Sequence, residues 1–120
     1  MTYDEIRKKY FITFDVTQED IDTARFHNTN AYEYKKDDEW PSDCCGCPVE
    51  IAITRTLGLE PNSVYVPGGG CGSNIKIYKG EIGLEHQEFS HSPESRSLVA
   101  RFDAGEAVRP VTLTINRIFF

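Results

Sequence analysis

The chain is 120 residues long and lacks several features that would fix a function outright. No apolar run reaches the roughly 20 residues that a membrane-spanning helix needs. The first ten residues, "MTYDEIRKKY", are charged and hold no signal-peptide core, so a cytoplasmic protein with no membrane partner is the expectation. Basic residues are in deficit: 13 Lys and Arg against 19 Asp and Glu give a formal charge of −6. That balance argues against holding nucleic acid by phosphate neutralisation, which needs a clustered cationic excess. Internal repeats and low-complexity tracts are absent, which excludes solenoids and tails. At this length a single domain buries a sufficient core without obligatory disulfides or metal.

What is present alternates between strand and helix signals. Thr2 and Glu5 have capping-box spacing for a short helix over 3–9. In "YFITFDV", Ile12, Phe14 and Val16 alternate with Thr13, Asp15 and Thr17, the period of a half-buried strand. Thr17 then suits the cap of a short helix, with Asp20 at its third position. From Arg25 to Asp43 the periodicity dissolves, and a long irregular excursion is expected there. Its aromatics Tyr32, Tyr34 and Trp40 are candidate protein-binding residues.

Pro48 suits a first helical position, with Cys47 as the cap before it and Gly58 as a left-handed stop. "SVYV" and "IKIY" form a candidate hairpin around "PGGGCGSN", and a further strand is expected near Glu85–Phe89. Ser92 and Pro93 repeat the cap signature for a helix closed by Gly105, and "VTLTI" is a C-terminal strand. This order predicts a small α+β domain with a mainly antiparallel or mixed sheet and helices on one face.

Three of the four cysteines, Cys44, Cys45 and Cys47, fall within four positions. The gap between Cys44 and Cys47 lets two thiolates grip one tetrahedral zinc, and Cys71 is the candidate third ligand. The same residues admit a reactive thiol at a helix start, or a cap that simply packs. The glycine-rich loop, with Gly68, Gly69, Gly70, Gly72, Ser73 and Asn74, is a candidate nest for a nucleotide or other small anion. It lacks the last glycine of the dinucleotide fingerprint and is followed by a strand. For catalysis the sequence offers only Cys71 with His86 or His91, and no spacing supports that pairing; these histidines are expected to be exposed and idle.

Three stretches carry a resemblance: "VTQEDIDTARFHN", "CCGCPVEIAITRTLG" and "RFDAGEAVRPVTLTI". Their matching residues are Val16, Thr17, Glu19 and Asp20; Cys44, Cys47 and Pro48; and Arg101, Phe102, Asp103 and Gly105. Together they resemble a family of small uncharacterised proteins of bacteriophages that infect actinobacteria and related hosts. The resemblance implies a viral origin, residence in the cytoplasm of an infected bacterium, and an accessory role. The expected function is therefore non-enzymatic binding of a host or viral protein, including a counter-defence role. Capture of a nucleotide or anion in the glycine-rich loop and a zinc-stabilised interaction domain are the alternatives.

Overall fold

The computed structural model describes residues 1–34, 47–60, 63–67, 74–80 and 85–118; for 27–34 only the backbone is described. The described elements, in chain order, are α1 (Tyr3–Arg7), β1 (Phe11–Val16), α2 (Gln18–Tyr34), α3 (Pro48–Leu57), β2 (Val64–Tyr65), β3 (Ile75–Tyr78), β4 (His86–Ser90), α4 (Pro93–Asp103) and β5 (Val111–Arg117). The strands form one sheet in the order β1-β5-β4-β3-β2, and every neighbouring pair is antiparallel. The chain is thus an α+β fold, as its element order implied.

Alternation in β1 and β5 separates two faces of the sheet. Ile12, Phe14 and Val16 pair with Ile115, Leu113 and Val111. All of these except Val111 are buried. With Ile75, Ile77 and Phe89 they form the floor of the core. The helices cover that floor with Ile6, Ile21, Val49, Ala52, Ile53, Leu57, Leu98 and Val99. The opposite face of β1 and β5 carries Thr13 and Thr114, whose hydroxyls meet across the strands at 2.9 Å.

Local chemistry sets the helix ends. Thr2 Oγ1 accepts the Glu5 N–H at 3.2 Å, and Ser92 Oγ accepts the Ser95 N–H at 3.2 Å. Gly58 takes a left-handed φ of 63°, which lets its own N–H and that of Leu59 bond back to Arg55 and Thr54. Gly105, with φ of 80°, closes α4 in the same way, through bonds to Phe102 and Arg101.

The irregular excursion expected over 25–43 is corrected for its first part: Arg25–Tyr34 continue α2, which runs for 17 residues. The apolar period is silent there because α2 buries only Ile21 and Ala24 as core hydrophobics among its described side chains. Polar anchors hold the helix instead. Thr17 and Asp20 form a reciprocal cap: the Thr17 N–H donates to Asp20 Oδ2 at 2.9 Å and the Asp20 N–H to Thr17 Oγ1 at 3.1 Å. Arg25 lies 4.1 Å over the Phe102 ring and donates to the Phe102 and Glu106 carbonyls, which staples α2 to the end of α4. Residues 35–43 of the excursion lie outside the described residues.

Asp20 is also the anchor for α3, since Arg55 donates to both of its carboxylate oxygens, at 3.2 and 2.9 Å. Burial by itself would raise the Asp20 pKa. The bonds from Arg55 and Thr17 outweigh it and hold the carboxyl below its ordinary range. A carboxyl with a depressed pKa contributes stability that is present above its unfolded pKa and is lost as pH falls through the folded one. Asp20→Asn is therefore expected to cost about 1–3 kcal/mol near neutral pH, the range for a lost cap plus a charged hydrogen bond. Denaturant titrations of both proteins should show this deficit shrinking below the pH where the wild-type carboxyl protonates.

Candidate functional site

The start of α3 is the first place where sequence-level chemistry can be located. Cys47 caps the helix, its Sγ accepting the Glu50 N–H at 3.4 Å, with Pro48 at the first helical position. The thiol packs against the hydrophobic core. Burial pushes its pKa up to about 12, with the nearby Glu50 and Asp103 carboxyls adding to the rise against the opposing backbone bonds. A group in that state is a protonated cap and a weak nucleophile at neutral pH. Cys44, Cys45 and Cys71 lie outside the described residues. No cluster of three His, Cys, Asp or Glu side chains occurs among the described ones.

Glu50, one turn into the helix, is pushed up to about 7 by burial, with the Cys47 backbone pulling the other way. A raised carboxyl pKa destabilises the fold as pH climbs from the unfolded value through the folded one. Glu50→Gln keeps the shape without the charge. Its melting temperature should match the wild type near pH 4, exceed it increasingly as pH rises to about 7, and hold that margin above, as read by thermal melts across that range.

The glycine-rich loop falls mostly outside the described residues, including Gly68, Gly69, Gly70, Gly72 and Ser73. Asn74, at its exit, donates to Glu88 Oε1 across the sheet at 3.4 Å. Tyr32 and Tyr34 belong to the last turns of α2, with side chains outside the description, and Trp40 lies outside it altogether.

The histidines correct the expectation of idle surface rings. His86 sits on β4 at 3.4 Å from the Glu88 carboxylate and 5.2 Å, centroid to centroid, from the Tyr78 ring. His91 is 1% exposed. Neither of its ring nitrogens makes a hydrogen bond of ordinary geometry among the described residues, and the nearby Ser95 hydroxyl is likewise buried and unsatisfied. Burial and the Arg96 charge hold the imidazole pKa below its usual value, against a weaker pull from the Ser95 backbone. The stability that this neutral ring supports is complete above the ordinary imidazole pKa and declines as pH falls below it. The sequence signal missed was register: His91 continues the inward parity of Phe89.

The surface feature that sequence reading did not single out is a groove of about 780 Å³ between the outer face of α4 and the extended approach to β5. Leu98, Val108, Pro110 and Val111 give it an apolar lining, and Arg101, Arg109 and Glu94 bring charge to it. Arg101 steadies the far wall by donating to the Ala107 carbonyl at 3.2 Å. Pro110 and Val111 form a partition shared with a second cleft, of about 550 Å³, at the β1–α2 corner. Val111 is 38% exposed, unusual for an inward-parity strand position. No family model matches the chain, and no curated protein or solved structure matches it. Among the described residues, no helix is long and apolar enough to cross a membrane.

Proposed function

We propose that this chain is a small, phage-encoded, non-enzymatic binding protein whose target is a host or viral protein. The observation that carries the reading is the groove beside α4. It joins an apolar lining to two arginines and one carboxylate, the mixture that suits a segment of another protein better than a small reactive substrate. Arginine beside an apolar recess is a frequent energetic anchor in protein interfaces. In a chain of net charge −6, Arg101 and Arg109 also make this a local reversal of sign. Screening over about 8 Å at physiological salt lets those two guanidiniums, rather than the distant acidic residues, govern what docks. The fitting partner is a segment that carries an apolar side chain next to carboxylates.

Two supporting points come from chemistry. The described nucleophile, Cys47, is committed to capping α3 and holds its proton. The buried imidazole of His91 faces the core rather than a cleft, and it lines neither groove. A counter-defence role, or redirection of a host factor, is consistent with the phage-family resemblance.

Val111→Asp and Arg109→Glu test the reading, because both side chains are exposed and neither belongs to the packed core. Affinity capture from infected-cell lysate, quantified by mass spectrometry and followed by cross-linking, should show the captured protein joined to α4 or 107–111. Each variant should weaken recovery about tenfold or more while leaving the thermal melt unchanged. Undiminished capture by both variants, or cross-links confined to other surfaces, would refute the groove as the binding site.

A further inference from the structure

The groove beside α4 has a direction. Glu94, Leu98 and Arg101 all line it from that helix, and their spacing of four and then three positions puts them on one stripe. At 1.5 Å of rise per residue, the carboxylate and the guanidinium are rooted about 10 Å apart along the groove, with Leu98 between them. Both charged residues are exposed, as is Arg109 in the opposite wall. Among the described residues, none of these three charges belongs to an ion pair. Arg101 spends one donor on the Ala107 carbonyl, and a guanidinium has five in all. The groove thus holds opposite charges at its two ends and neutralises neither.

Two magnitudes make these ends act separately. Screening at physiological salt works over about 8 Å, less than their separation, so a group docked at one end feels chiefly the charge there. The α4 dipole opposes the side chains, being positive at the Glu94 end, but it amounts to about half an elementary charge at each terminus against a whole one on each side chain. The side chains therefore set the sign. Length then sets the form of the occupant. About 10 Å is three residues of extended chain or seven of helix, and a helix with its side chains is roughly 10–12 Å across. A recess of about 780 Å³ is the space that one drug-sized ligand fills, which suits the extended form.

We infer that the partner segment is short, extended and bipolar. It sets a carboxylate at the Arg101 end of the groove, a Lys or Arg three positions away at the Glu94 end, and apolar side chains between them over Leu98. This rests on the groove being a docking site for another protein, and adds to that reading a required cation and a fixed spacing. Either chain direction satisfies it, because the side-chain charges rather than the backbone make the match. A segment with carboxylates at both positions would set one of them against Glu94, and a segment with two cations would set one against Arg101.

Four peptides capped at both ends, Asp-Leu-Ala-Lys, Asp-Leu-Ala-Asp, Lys-Leu-Ala-Lys and Asn-Leu-Ala-Gln, test this when titrated into the full chain at physiological salt and followed by amide chemical shifts. The bipolar peptide should shift Leu98, Arg101 and Val111 and bind about threefold or more tighter than each of the others, the scale of one exposed ion pair. Glu94→Lys should reverse the order in favour of the diacidic peptide. Glu94→Gln, the milder change at a helix start, should bring the bipolar and diacidic peptides to equal affinity. Equal or tighter binding of the diacidic peptide by the wild type, at the same residues, would overturn the bipolar match and leave the groove standing as a docking site. A preference that neither Glu94 variant alters would overturn it in the same way. No shift at the groove with any of the four peptides would overturn both readings together.

Discussion

The pairing of β1 with β5 is the constraint on which the rest of the structure depends. These strands lie about a hundred residues apart in sequence, and their six-residue ladder brings the two ends of the fold together. β5 also pairs with β4 on its other side, so it is the strand that joins β1 to the β2–β4 meander. Without it the sheet divides into a lone strand and a short antiparallel meander, neither of which buries enough apolar surface to stand alone. Closing so long a loop carries a chain-entropy cost that the ladder and the core on it must offset.

Polar groups then decide how the helices sit on that sheet. The Asp20 carboxylate is 3% exposed and accepts from Thr17 and Arg55 together, so one buried charge ties the start of α2 to the end of α3. Arg25 makes the complementary tie between α2 and the end of α4. A buried carboxylate is costly unless its lone pairs are filled, and here three bonds fill them, one from the Thr17 backbone and two from the Arg55 side chain. The arrangement gives α2 a fixed seat although its apolar stripe is narrow. It also leaves Arg55 within reach of the Asp15 carbonyl, to which it donates.

The groove follows from where this packing leaves surface uncovered. The helices occupy one face of the sheet, and the groove lies between α4 and the segment 107–111 that leads into β5 after the turn at Ala104–Gly105. Val111 begins β5 with inward parity yet is 38% exposed and lines the groove. The cysteine at the head of α3 packs, partly buried, against the core. Its sulfur substitutes for the hydroxyl that usually caps a helix, and burial keeps it protonated. The same burial that raises the thiol pushes Glu50 up to about 7, so the head of α3 carries a pH sensitivity.

Features encoded within a few residues of each other were legible in the sequence. The caps at Thr2, Thr17, Cys47 and Ser92, the glycine stops at 58 and 105, and the two-residue period of β1 each depend on local backbone chemistry, and each forms as that chemistry dictates. The α+β class followed because the order of elements is itself a local property. The latter part of α2 was illegible because its residues carry no clear apolar period, and a tie that seats its start, from Arg25 to Phe102, spans 77 positions. The burial of His91 was illegible because parity on β4 means nothing until β3 and β5 are paired to it. The groove was hidden for the same reason, since it arises where segments distant in sequence meet. Sequence by itself determined most of the elements and their caps, through interactions that span a turn or less; only the tertiary structure decided how far α2 runs, which polar groups are buried and which surfaces stay open, because those depend on contacts between residues far apart in the chain.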